Sequence, residues 1–121
     1  MAISVAGGDL QDQVTLNLLL NAIDYGMGPA ESVTVPRFAT GHHEDSFDPN
    51  PDRKETFKSP GSLTLNEAIS QDVQEDLAER GHQIESKTEP IGRPVMLAID
   101  QKKGLIQAAG DPEAARHAGG L

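Results

Sequence analysis

The chain has 121 residues, 36% hydrophobic and only 3% aromatic, so with no Trp, one Tyr and three Phe its core must be built from Leu, Ile, Val and Ala. A formal net charge of −9 repels phosphate backbones and argues against nucleic acid as a partner, while the absence of Cys excludes disulfides, thiolate metal sites and Cys nucleophiles. No apolar run approaches the roughly 20 residues that cross a membrane, and Met1-Ala2-Ile3-Ser4-Val5 lacks the basic start of a signal peptide, which leaves the compartment unassigned.

Ala2 to Ala6 is a short apolar stretch that stops at Gly7-Gly8. It reads as a buried strand running into a tight turn without side chains. Asp9 to Gln13 is a polar start for a helix, with Asp9 or Asp12 near the positive end of the dipole. Leu16, Leu19, Leu20 and Ile23 then recur at helical spacing, and Gly26 suits the C-cap. Leu18 and Ala22 widen that apolar face, so the helix is expected to be well buried. Pro29 opens a second short helix that must stop before Pro36, and Arg37 to Thr40 is extended. Gly41 to Pro60, with Asp48-Pro49-Asn50-Pro51-Asp52, reads as a long loop.

Ser62 to Leu65 alternates as a strand does. Ser70 caps a helix running to Arg80, with Ile69, Val73 and Leu77 on one face and Gly81 at its end. Gln83 to Lys87 reads as a strand. Val95 to Ile99 and Leu105 to Ala109 form an antiparallel hairpin across Asp100 to Gly104. The order β, α, α, loop, β, α, β, β, β argues an α+β fold with helices packed on a mainly antiparallel sheet. A chain this small is marginal as an isolated monomer, so it is expected either to associate or to belong to something larger.

An ordered set of segments resembles the C-terminal part of the γ-glutamyltransferases. It comprises Gly7-Gly8-Asp9; Leu18-Leu19-Leu20-Asn21-Ala22-Ile23-Asp24-Tyr25-Gly26-Met27; Glu31 with Pro36-Arg37-Phe38; Leu77-Ala78-Glu79-Arg80-Gly81-His82; Gly104-Leu105; Ala108-Ala109-Gly110-Asp111-Pro112; and Gly119-Gly120. Four features depart from the family pattern. Ser4-Val5-Ala6 precedes the glycine pair where Gly-Ser-Pro is common, Val35 replaces the usual Ala before Pro-Arg, and Glu113 replaces the Arg that often follows Asp-Pro. The His42 to Pro60 loop is long for the family. These departures bear on donor and acceptor specificity rather than on fold.

The resemblance implies that residues 1–121 are the C-terminal segment of a catalytic domain, a fragment of the αββα sandwich of N-terminal-nucleophile hydrolases. Such enzymes cleave themselves in two, and the threonine exposed at the new N-terminus attacks a γ-glutamyl amide of the glutathione type, using its own α-amine as base. The acyl-enzyme passes to water or to an amine. Backbone N–H groups of a Gly-Gly turn hold the oxyanion, and here that role falls on Gly7 and Gly8. The implied partners are the upstream nucleophile segment and the large subunit, and no cofactor is implied. The family's threonine, the carboxylate that grips the substrate amine and its serine pair lie before the Gly-Gly turn. None of Thr15, Thr34, Thr40, Thr56, Thr64 or Thr88 sits in a matching context, so no nucleophile is assigned. On its own the segment is expected to be inactive and to form a homo-oligomer, most simply a symmetric dimer. Family members are often periplasmic or secreted.

The Gly7-Gly8 role also has a physical basis apart from the resemblance. Glycine lets a substrate approach the backbone closely, and two adjacent N–H groups can serve one developing negative charge. A bare glycine pair also serves as a simple strand–helix turn. His42-His43 with Glu44 and Asp45 lacks the spacing of a metal site, and the prolines among Asp48, Asn50 and Asp52 argue against a calcium loop. Arg37 reads as one half of a structural ion pair. Two other readings stand beside the transferase. One is an acylase for another amide, such as a β-lactam side chain; the other is a non-enzymatic, self-associating α+β module.

Overall fold

A computed structural model describes residues 1–52, 54–57 and 59–119. Gly120, half of the terminal glycine pair, lies outside the described residues. The elements are β1 (Ala2–Ala6), α1 (Leu10–Ile23), α2 (Pro29–Thr34), β2 (Phe38–Ala39), β3 (Ser62–Asn66), α3 (Gln71–Glu79), β4 (Gln83–Lys87), β5 (Arg93–Asp100) and β6 (Leu105–Gly110). Their order is the expected one, except that the extended stretch after Arg37 contributes a further short strand, β2, ahead of the loop.

The strands form two three-stranded sheets, β1-β5-β6 and β2-β3-β4. In the first sheet both ladders are antiparallel, with Ile3 opposite Met96 and Met96 opposite Ala109. In the second, β2 runs antiparallel to β3, whereas β3 and β4 are parallel, Leu63 opposite Ile84. Parallel neighbours cannot be joined by a tight turn and need a crossover; α3 supplies it.

The core lies where α1 and α2 meet the first sheet. Val14 and Leu18 of α1, Val33 of α2, Ala39, Ile91 and Met96 are buried together, with Ile3, Val5, Leu10, Ala22 and Ala109 packed against them. The buried seam of α1 differs from the expected stripe. Val14, Asn17 and Leu18 are buried, whereas Leu16 is 56%, Leu20 40% and Ile23 66% exposed. The helix carries apolar residues on two sides, and the sheet takes the side two residues out of phase, roughly opposite the expected stripe. Asn17 is admitted to that seam because its side-chain amide donates to the Gln13 carbonyl at 2.8 Å. At the C-terminus Gly26 adopts φ +68°, a left-handed conformation that closes helices, and the Met27 N–H reaches back to the Asn21 carbonyl.

Helix α3 also departs from expectation, since it has no buried residue and Val73 is 47% exposed. Its apolar face only partly docks, on the smaller sheet. The described part of 41–60 carries no helix or strand, yet it is tied down, as set out below.

The ion pair expected at Arg37 is present and buried, and its partner is Asp111. Arg37 Nη2 donates to Asp111 Oδ2, Nη1 to the Val33 carbonyl, and Nε to the Ile91 carbonyl at 2.8 Å. The other Asp111 oxygen accepts the Glu113 and Ala114 N–H groups at 3.1 and 3.4 Å. One guanidinium thus joins α2, the segment before β5 and the tail after β6.

Candidate active site

Between β1 and α1 the chain turns through Gly7, Gly8 and Asp9. The Gly7 carbonyl accepts from Leu10 N–H at 3.1 Å and the Gly8 carbonyl from Gln11 N–H at 3.0 Å. These bonds start the helix and occupy both carbonyls. Neither the Gly7 nor the Gly8 N–H donates to another described residue. Gly7 is exposed and Gly8 half-buried, so the turn presents backbone donors next to solvent at the positive end of a 14-residue helix.

Gly8 has φ +57°, which L side chains rarely adopt. Space restricts it further, because a Cβ built on Gly8 would stand 3.1 Å from Cε2 of Phe47. The aromatic ring from the 41–60 loop therefore lies directly against the second glycine.

Two contacts moor that loop to one side of α1. The Asp9 carboxylate accepts the Ser46 N–H at 2.8 Å and also the Ser46 hydroxyl. One turn along, the Gln13 side chain accepts from Thr40 N–H at 2.7 Å and donates to the Thr40 carbonyl at 3.0 Å. Asp9 opens α1 without making a side-chain cap bond, so its oxygens serve the loop instead. The Ser46 hydroxyl, then the Ser46 N–H, and in smaller part the charge of His43 hold the Asp9 carboxyl below the usual aspartate range.

A cavity of about 410 Å³ opens beside these contacts, lined by Asp9, Asp12, Gln13, Thr40, His42, His43 and Glu44. Despite the acids and imidazoles around it, no three His, Asp or Glu side chains among the described residues are placed to hold a metal ion. Five of the six threonine hydroxyls make hydrogen bonds within the chain. Thr34 bonds to the Ala30 carbonyl, Thr40 to Gln13, Thr56 to the Asp52 carbonyl, Thr64 to Glu85 and Thr88 to Glu67.

Gly7 and Gly8 were legible as a turn from sequence. Asp9, Gln13, Ser46 and Phe47, which surround it, were not. The partners lie 27 and 37 residues apart in the chain, and an exposed Ser-Phe in a polar loop carries no periodic signal.

The family model for gamma-glutamyltranspeptidase matches residues 1–121. No curated protein sequence gives a match. Among solved structures, a mutant gamma-glutamyltranspeptidase of Helicobacter pylori aligns with a TM-score of 0.64 at 24% identity, covering 92% of this chain and 52% of that one. A gamma-glutamyltranspeptidase of Pseudomonas nitroreducens aligns with a TM-score of 0.70 at 15% identity, covering 98% and 53%. A cephalosporin acylase of Bacillus halodurans aligns with a TM-score of 0.71 at 20% identity, covering 92% and 18%. The chain spans about half the length of the two transpeptidase chains. At these identities the likeness is one of fold, an α+β arrangement with helices on mainly antiparallel sheet.

Proposed function

Since this chain belongs to the gamma-glutamyltranspeptidase family, we propose that it is the C-terminal part of an amide-cleaving acyltransferase and supplies the oxyanion turn. The nucleophilic threonine is contributed by a preceding segment of the parent protein. Its hydroxyl attacks the carbonyl of a γ-glutamyl amide and passes its proton to the threonine α-amine. A C–O bond forms, and the carbonyl oxygen becomes an oxyanion held by the Gly7 and Gly8 N–H groups. Collapse of this intermediate breaks the C–N bond, and the amine leaves with the transferred proton. Water or a second amine then attacks the ester in the same way.

The observation that carries this reading is the division of labour in the turn. Both carbonyls are used to start α1, and neither N–H group donates to another described residue. The test is γ-glutamyl-anilide cleavage by the full-length, self-cleaved parent. Turnover is expected there and not from residues 1–121 alone. Gly8→Ala in the parent keeps the N–H but strains the φ +57° turn that aims it, and should lower kcat by up to the roughly 100- to 1000-fold that loss of an oxyanion donor costs. A self-cleaved parent that turns over no γ-glutamyl or other acyl amide would refute the reading, and so would activity from the isolated chain.

An acylase for a different amide is the second reading. It is favoured by the fold likeness to the cephalosporin acylase and by the apolar ring beside the turn. Comparing γ-glutamyl with phenylacetyl anilides separates the two.

A further inference from the structure

Phe47 is 81% exposed. A loop anchored by burying its aromatic would cover it, and this loop has a buried point elsewhere, at Thr56, 3% exposed. Yet the backbone around Phe47 is pinned on both sides. Ser46 is bound twice by Asp9. The Phe47 and Asp48 N–H groups both donate to Asp45 Oδ1, at 2.9 and 3.3 Å. The ring edge then rests where only a glycine leaves room, against Gly8. The chain therefore holds a flat apolar surface in water, in contact with one of the two glycines whose N–H groups have no partner among the described residues.

We propose that Phe47 is a specificity-determining residue: its ring walls the subsite beside the Gly7-Gly8 turn and takes a flat apolar group attached close to the scissile carbonyl. Ser46 and Asp9 are positioning residues that act through it. The inference rests on the oxyanion reading of the turn. The ring lies against the residue whose N–H receives the carbonyl oxygen, so a group attached beside that carbonyl is brought near it. Covering the ring removes apolar surface from water, and an aromatic partner adds edge or offset stacking. An amide with a small or charged group at that place gains neither.

The flat group can sit on the amine side or the acyl side of the amide, and two substrate pairs distinguish these. One pair is the anilide and the methylamide of the same acid; the other is the phenylacetyl and the acetyl amide of the same amine. Both are assayed on the full-length parent as wild type, Phe47→Ala, Phe47→Trp and Ser46→Ala. In the pair that meets the ring, Phe47→Ala should cut the preference for the aromatic member by roughly three- to tenfold, mainly through KM. Phe47→Trp should restore it, and Ser46→Ala should give part of the loss. A wild type active on these amides whose preferences are the same in Phe47→Ala for both pairs would overturn the proposal alone. Equal loss of kcat on every substrate would also overturn it, because that is the mark of a structural role. A wild type inactive on all four amides would remove the oxyanion reading, and this inference with it.

Discussion

Asp9 stands at the head of α1, where a short acid ordinarily turns its side chain back to cap the first N–H groups. Here both oxygens go to Ser46 instead, and the helix start is served by the carbonyls of Gly7 and Gly8. The exchange has a pH signature. Hydrogen bonds from Ser46 favour the ionised carboxyl and lower its pKa. A group depressed in the folded state contributes its stabilisation fully above its unfolded pKa and loses it as pH falls through the lower folded value. The Ser46 clamp should therefore be intact at neutral and mildly acidic pH. An NMR titration of the Ser46 amide should show its inflection below the ordinary aspartate range. An inflection at or above that range would mean that the carboxyl does not hold the loop. Asp9→Asn should flatten the titration and loosen Phe47 at every pH.

Among the elements, the Arg37–Asp111 pair decides whether α2, the approach to β5 and the tail stay together. Both side chains are nearly inaccessible, at 3% and 4% exposure, and no buried side-chain N or O atom among the described residues lacks a partner. Removing one member strands the other charge, so Arg37→Ala should destabilise the fold by about 3–5 kcal/mol in denaturant unfolding. Arg37→Lys should recover little of this, because three acceptors in fixed directions suit a guanidinium fork and not an ammonium. A loss below about 1 kcal/mol for Arg37→Ala would contradict the buried-pair account. This pair was legible in part: Arg37 invited a carboxylate, but nothing local pointed 74 residues ahead to its partner. Legibility followed the same line elsewhere. The breaks at Gly7-Gly8, Gly26, Pro36 and Gly81 depend on backbone preference, and they bounded the elements well. The seam of α1 depends on what packs against it, and with Val14 and Leu18 competing against Leu16, Leu20 and Ile23 the helix pattern alone could not choose. The parallel β3–β4 ladder was equally hidden, since pairing direction is set by the crossover and not by strand composition.

At the scale of the whole molecule, the surface is too large for the mass. A compact monomer of 12.9 kDa is expected to expose about 6300 Å², whereas this chain exposes 8221 Å². The excess, roughly 1900 Å², is more than twice the roughly 800 Å² that one partner gives to a standard protein–protein interface. Part of it is apolar and grouped. Leu16, Leu20 and Ile23 lie along the outer side of α1, followed by Tyr25 at 74% exposure. Ile99 and Ile106, opposite each other near the β5–β6 turn, are 55% and 66% exposed. On the reading proposed above, the remainder of a longer parent would cover these surfaces; the transpeptidase chains that align with this one are about twice as long. Without that cover, two copies can hide the same surface from water by symmetric contact. Expressed alone, residues 1–121 should therefore sediment as a dimer or larger species at micromolar concentration. Leu16→Glu with Ile23→Glu should shift it towards a monomer if the outer side of α1 is the contact. A folded monomer that persists as concentration rises would show that the exposed residues tolerate water, and the case for a missing cover would then fail on its own evidence.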